Sequence, residues 1–478
     1  MTLPEDFIKQ TKAALGDSTW HILEQGLAAE PPVSIRLNPW KCRGGDCTVN
    51  GCAGEVPWCK DGFYLAARPN FTFDPMLHAG MYYVQEASSM FLDRILRQYA
   101  AGTPVRMLDM CAAPGGKSTV ARAALAEGSL LVSNEPMRQR AQILAENMQK
   151  QGHPDTIVTN NYPQDFRRSG LMFDVILADV PCSGEGMFRK DPAAIGEWSL
   201  QNVDKCRRLQ RGIVTDAWQC LRPGGLFIYS TCTFNTKEDE ENILYICEEL
   251  GAELLPVYTD SGWGICGSVL PGFDGPVYRF IPGMTKGEGL FMAVMRKPGD
   301  AATGNGRTKA KKAKGERAQS RSNAATSACA KWIKQPADFE ITANNGTVAA
   351  IPRQWTQFYD MAAKSLNIMS AGITMGEVKG KDIVPSQALA LSTSLDPSAF
   401  PSVELDYGQS LSYLRKEAVP LPENTPRGHV LMTYKGIPLG FEKNIGNRAN
   451  NLYPAEWKIK STHTPEGNSC VVELKVKN

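Results

Sequence analysis

Between residues 105 and 231, short apolar runs alternate with helix-length amphipathic stretches, and this pattern constrains the fold more than any other feature of the chain. Val105-Arg-Met-Leu-Asp-Met, Leu130-Leu-Val-Ser-Asn-Glu, Thr156-Ile-Val-Thr-Asn, Phe173-Asp-Val-Ile-Leu-Ala-Asp and Gly225-Leu-Phe-Ile-Tyr-Ser read as buried strands. Helical patterns run from about Ser118 to Glu127 and from Arg138 to Lys150. Such alternation predicts an α/β fold with a mostly parallel, doubly wound sheet. Ligands of these sheets sit beyond the carboxyl ends of the strands. Three segments fall there: the loop after the first run, Asp179-Val-Pro-Cys182, and Tyr229-Ser-Thr-Cys232.

The loop is Cys111-Ala-Ala-Pro-Gly-Gly-Lys-Ser-Thr. It is close to the phosphate-binding spacing G-x-x-x-x-G-K-[ST], but Cys111 stands where the first glycine belongs, and no G-x-G-x-x-G occurs. A small-residue loop between strand and helix still lets backbone N–H groups approach a ligand. Glu135, ending the second run, is placed to accept from both hydroxyls of a ribose. Together they favour S-adenosylmethionine over a triphosphate.

Cys182 and Cys232 follow apolar runs in polar turns, whereas most of the thirteen cysteines read as packing. A nucleoside cofactor beside two thiols points to covalent chemistry on an electrophilic ring carbon. Carbon 5 of cytosine is not nucleophilic, but a thiolate added at carbon 6 makes it enamine-like and able to accept a methyl group. That route needs a hydrogen bond at ring nitrogen 3 and a base for the carbon-5 proton. Asp179, three residues before Cys182, is a candidate for the pyrimidine edge.

The remaining sequence sets the frame. A chain of 478 residues holds more than one domain. A net charge of +2 leaves a nucleic-acid reading to rest on local basic clusters. No apolar run is long enough to span a bilayer, and the first residues are not those of a signal peptide, so the expected compartment is the cytoplasm, with thiols reduced. Gly299 to Ser327 is a Gly/Ala/Ser/Lys-rich stretch read as a basic tether. Near the end, Gly428-His-Val-Leu-Met-Thr-Tyr-Lys-Gly-Ile-Pro-Leu-Gly-Phe reads as a β-hairpin.

Taken together, Cys111-Ala-Ala-Pro-Gly-Gly-Lys, Asn134-Glu135 with Arg140, Asp179-Val-Pro-Cys-Ser-Gly-Glu-Gly-Met-Phe-Arg-Lys-Asp-Pro and Tyr229-Ser-Thr-Cys-Thr resemble the NOL1/NOP2/Sun family of RNA cytosine-5 methyltransferases. Within it the chain looks most like the bacterial ribosomal RNA methyltransferase F group. The stretch Gly436-Ile-Pro-Leu-Gly-Phe…Asn447…Leu452-Tyr-Pro resembles that group's PUA-like RNA-binding module. The resemblance implies a Rossmann-like class I methyltransferase core, an N-terminal α+β RNA-binding extension and a C-terminal β-rich module. The expected divisions are an RNA-binding extension at 1–95, the methyltransferase domain at 96–298, a basic linker at 299–330, an intermediate domain at 331–415 and a PUA-like domain at 416–478.

By the same resemblance Cys232 would attack the base and Cys182 would assist breakdown of the covalent intermediate. Cys111, Ala112, Ala113, Pro114, Gly115, Gly116, Lys117, Glu135, Arg140 and Asp179 would line the S-adenosylmethionine pocket, with Lys117 and Asp179 also near the target base. Asn160 or Asn161 stands where many members carry an acid contacting the adenine side. The implied partner is RNA, ribosomal RNA or the small ribosomal subunit, acted on by a monomer that needs no membrane and no metal. Cys42, Cys47, Cys52 and Cys59 lack the paired C-x2-C spacing that suits zinc. Arg207, Arg208 and Arg211, with Arg189 and Lys190, would contact phosphates of an extruded or looped-out target. An amino-group methyltransferase would carry an Asp-Pro-Pro-Tyr type loop, and a non-catalytic assembly factor would not require either thiol. Transfer RNA is the alternative substrate.

Overall fold

The computed structural model describes residues 2–42, 45–299, 323–380, 382–463, 467 and 470–475. Its centre is a sheet built from β1 (Arg106–Asp109), β2 (Leu130–Asn134), β3 (Thr156–Thr159), β4 (Phe173–Asp179), β5 (Leu221–Thr231), β6 (Val277–Phe280), β7 (Leu290–Arg296) and β8 (Ile368–Ala371). Across the sheet the strands run β7-β5-β4-β1-β2-β3-β8, with β6 paired on β7 and the short strand Glu253–Leu254 at its edge. Strands β1 to β5 are parallel, while β7 and β8 are antiparallel to their neighbours. This is a Rossmann-like, doubly wound core.

Period-two alternation buries both faces. Met107, Leu131, Leu177 and Ile228 pack into one core, and Leu108, Val132, Ile176 and Phe227 into the other. Helices cover each face, among them α1 (Gly116–Ala124), α2 (Arg138–Gln151), α3 (Leu200–Cys220) and α4 (Glu240–Leu250), as a two-sided parallel sheet requires. Helix α1 starts two residues earlier and stops three residues sooner than its pattern suggested. The strand order reverses at β1, so a crevice opens beyond the carboxyl ends of β1 and β4.

The N-terminal helix Glu5–Ala28, broken at Gly16, buries Phe7, Trp20 and Leu23 against Phe188 and Phe234, which lie six residues after Cys182 and two after Cys232. An antiparallel sheet comes next, in the order Cys52–Glu55, Gly62–Leu65, Val33–Leu37, Tyr82–Val84. The basic stretch from 300 to 322 lies outside the described residues. Residues 323–330, expected as the end of a linker, form the helix Asn323–Ala330, with Cys329 buried. Strand β8 then returns to the central sheet, so this part of the expected intermediate domain completes the core.

The expected hairpin is Gly428–Tyr434 with Ile437–Asn444. Lys435 and Gly436 both have positive φ, 49° and 74°, the backbone of a tight two-residue turn matching strand twist. Its sheet shares one core with the N-terminal sheet, where Ile35, Phe73 and Met76 pack with Tyr413, Val430 and Tyr453. Strand Val472–Leu474 pairs with Cys47–Val49, and buried Asp74 accepts from Val471 N–H at 2.8 Å and the Tyr82 hydroxyl at 2.7 Å. Among the described residues no helix is long and apolar enough to cross a membrane.

Candidate active site

The loop after β1 is drawn against the sheet by Ala112 N–H donating to the Asn134 carbonyl at 2.7 Å. Arg140 donates to the Ala113 carbonyl at 3.0 Å and Asn147 to that of Pro114 at 2.8 Å. Gly115 has a φ of 115°, which only glycine adopts without strain, and the turn delivers Gly116 to the start of α1. Glu135 is 1% exposed, with Oε1 accepting from Met137 N–H at 2.9 Å and Oε2 lying 3.5 Å from Arg140. Asp109 is wholly buried; Ser118 donates to its Oδ2 at 2.6 Å, and its Oδ1 has no partner. Burial pushes its carboxyl up to about 7.

Strands β4 and β5 pair Asp179 with Ser230, so the turns beyond them lie side by side. The Cys182 and Cys232 sulfurs are 2.9 Å apart, and the Cys232 N–H points to Cys182 Sγ at 3.4 Å. The hydrogen bond between the sulfurs, reinforced by burial, raises the Cys182 thiol well above its usual range. Either sulfur can be the donor of that bond. Lys117 Nζ lies 2.9 Å from Asp179 Oδ1. Burial alone would lower Lys117, but the carboxylates of Asp179 and Glu86 and the nearby Cys232 sulfur hold it above its usual value.

Two buried acids fix these turns. Glu238 accepts from Ser183 N–H at 3.0 Å, Gln210 at 2.7 Å and Asn235 at 3.0 Å. Glu185 accepts from Phe234 N–H at 2.6 Å, Asn235 N–H at 3.2 Å, Asn235 Nδ2 at 2.9 Å and Trp198 Nε1 at 3.0 Å. The Gly186 N–H closes the link on the Cys232 carbonyl at 2.8 Å. Below them Asp239 takes the hydroxyls of Thr231 and Thr233, while Arg279 bridges Asp239 and Glu240, all three unexposed.

Beside these supports lies a cavity of about 990 Å³, at the upper end of the range for small-molecule sites, roughly 300–1,000 Å³. Cys111, Ala112, Ala113, Pro114, Gly116, Lys117, Glu135, Arg140, Asp179, Cys182 and Cys232 all line it. Gly115 does not; a Cβ there would meet Leu144 and Asn147 instead.

The region 101–296 matches the family model for 16S rRNA methyltransferase RsmB/F. Residues 3–87 match the N-terminal domain of 16S rRNA methyltransferase RsmF, and 400–459 the methyltransferase RsmF PUA domain. Ribosomal RNA small subunit methyltransferase F of Salmonella heidelberg is 30% identical over 483 residues, covering 95% of this chain and 96% of that protein. The protein of the same name from Vibrio cholerae is 29% identical, covering 95% and 98%. The chain belongs to the ribosomal RNA small subunit methyltransferase F family. Its fold is shared with the crystal structure of NSun6 from Pyrococcus horikoshii with SFG, at a TM-score of 0.52 and 19% identity, covering 62% of this chain and 99% of that one.

Several residues that line the cavity carry no motif in the sequence. Tyr83, Val84, Gln85, Glu86 and Ser89, from the N-terminal region, form one wall of the cavity. Tyr162, Pro163 and Gln164 line it after β3, whereas Asn160 and Asn161 do not. Asn160 instead donates to the carbonyls of Glu135 and Pro136, and Asn161 braces Asn134 and Asn367. The expected phosphate contacts also divide. The Arg189 side chain is only 5% exposed and clamps Gly26, Gly287 and Glu288; Arg207 pairs with Glu241, and Arg211 bonds Asn242. Only Lys190 and Arg208 of that set line the cavity. Among the described residues no group of three His, Cys, Asp or Glu side chains can hold a metal ion.

Proposed function

We propose that this chain methylates carbon 5 of a cytosine in 16S ribosomal RNA, with S-adenosylmethionine as donor and Cys232 as nucleophile. The observation that carries the reading is the pair of sulfurs 2.9 Å apart on the wall of the cavity, next to the Lys117–Asp179 ion pair. The loop 111–117 and Glu135 fit the donor's nucleoside: small residues admit the backbone, and a buried carboxylate meets ribose hydroxyls. When bound, S-adenosylmethionine supplies a methyl group made electrophilic by its sulfonium.

The protein's own side chains do the remainder. Lys117 places positive charge beside Cys232, whose sulfur is the nucleophile. The thiolate adds to carbon 6, forming a sulfur–carbon bond and moving the ring π electrons toward carbon 5. Asp179, fixed by Lys117, holds the pyrimidine's polar edge. After the methyl group is in place, a water molecule in the open cavity takes the carbon-5 proton to solvent, the carbon 5–carbon 6 double bond re-forms, and the sulfur–carbon bond opens with its electron pair returning to Cys232. Cys182, in hydrogen-bond contact with that sulfur, assists this last step. The N-terminal and PUA-like regions, joined through a common core, form the frame that holds RNA over the cavity, and the target base leaves its stack to enter.

Mixing Cys182→Ala protein with ribosomal RNA and S-adenosylmethionine tests the reading on a denaturing gel. A protein–RNA band that disappears in Cys182→Ala/Cys232→Ala supports it. Methyl transfer that persists in the double variant contradicts it.

A further inference from the structure

The cavity wall formed by the N-terminal region holds an unused donor. Gln85 is 6% exposed, and its Oε1 accepts from Arg36 Nε at 3.1 Å. That donor fixes which way the amide faces, so Nε2 is the end left over, and it has no hydrogen-bond partner. Arg36, 2% exposed, is itself held by donating NH1 to the Leu37 carbonyl at 3.3 Å. Gln85 Nε2 lies beside Gly116: a Cβ built on that glycine would be 3.6 Å from it and 3.6 Å from Tyr83 Cε1. Gly116 opens α1, whose first N–H groups have no acceptor within the helix. A buried, unpaired donor is costly, and an acceptor brought into the cavity removes that cost. On the other side of the loop, Asp109 Oδ1 is a buried acceptor without a partner, and Asp109 lines the same cavity.

We propose that Gln85, supplied by the N-terminal region and oriented by Arg36, donates a hydrogen bond to an oxygen of a ligand bound at the start of α1. Two oxygens have the required chemistry, the amino-acid carboxylate of the methyl donor and the ring carbonyl of the target pyrimidine. The free donor at Gln85 and the free acceptor at Asp109 match a carboxylate and an ammonium, which favours the first. The inference rests on the methyl-transfer reading above. Under it the pocket is incomplete without the N-terminal sheet, and Arg36 is a positioning residue two contacts away from the ligand.

The test titrates the full chain with S-adenosylhomocysteine in a calorimeter, without RNA, for wild type, Gln85→Leu and Gln85→Glu. The apparent KM for RNA is measured on the same proteins at saturating donor. Gln85→Leu should weaken S-adenosylhomocysteine about tenfold or more. Gln85→Glu keeps the Arg36 contact but turns an oxygen toward the ligand, so it should weaken binding at least as much. A tenfold rise confined to the KM for RNA would assign the bond to the pyrimidine carbonyl. The proposal is overturned if both variants stay within twofold of wild type in both measurements. It is also overturned if Gln85→Glu matches wild type in both measurements while Gln85→Leu does not, because that marks Gln85 as a support for Arg36 only. Wild type that does not bind S-adenosylhomocysteine would instead remove the methyl-donor reading, and this inference with it.

Discussion

Replacing Glu185 by glutamine should unpin both cysteine turns at once. The carboxylate is fully buried and receives four donors, two on each oxygen. A carboxamide offers one oxygen, so in either orientation two donors lose their acceptor and face N–H instead. Hydrogen bonds to a charged group contribute about 1.5–3 kcal/mol each, which puts the loss of two near 3–6 kcal/mol before relaxation. In either orientation a bond to Asn235, three residues beyond Cys232, is among those broken, with that of Phe234 N–H or of Trp198 as the second. A shift of the reacting sulfur by about 1 Å costs on the order of 100-fold in rate. Urea unfolding reads the first number, and single-turnover methyl transfer at saturating RNA reads the second. Burial pushes the Glu185 carboxyl from 4.5 up to about 7, so the native state takes up a proton as pH falls through that value, wild type gains stability that the variant does not, and the gap between them should widen toward pH 4.5. A variant within about 0.5 kcal/mol of wild type and within twofold in rate would refute the claim that this acid positions the thiols.

Glu442 gives a prediction of opposite sign. Both its carboxylate oxygens are buried without a partner, and burial pushes the group from 4.5 up to about 7. The native state therefore holds the extra proton, and the penalty is absent below about 4.5 and complete above about 7. Glu442→Gln should stabilise the chain by about 1–3 kcal/mol at pH 8 and by nothing at pH 4.5, read by urea unfolding at the two pH values. Arg208 and Arg189 should separate in a salt titration of RNA affinity. Arg208→Ala removes an exposed cation from the cavity wall and should lower the salt slope by about one. Arg189→Ala should leave the slope alone and lower the melting temperature, because its guanidinium is spent on Gly26, Gly287 and Glu288.

The core strands were legible because a two-sided parallel sheet writes itself as short apolar runs, and the loop 111–117 followed from its place after the first of them. Cys182 and Cys232 stood out through the turns they occupy, and their meeting follows from the parallel pairing of β4 with β5. What local pattern does not carry is contact between distant segments. Nothing in Tyr83 to Ser89 announces a cavity wall, and Ile368–Ala371 has no local feature that sends it to the edge of β3. The common core of the N-terminal and PUA-like regions is likewise a long-range match of apolar surfaces. Arg189 misled because an arginine near a site reads as a phosphate contact until its burial is known. The acids of Glu238-Asp-Glu-Glu look like a solvated helix start, yet three of them are buried supports of the cysteine turns.

The most direct test of carbon-5 chemistry uses ribosomal RNA carrying tritium at carbon 5 of its cytosines. With S-adenosylmethionine present, tritium should reach solvent in step with methyl incorporation, one atom for each methyl group, and both should stop in Cys232→Ala. Methyl incorporation without tritium release would place the methyl group on another atom and contradict the account.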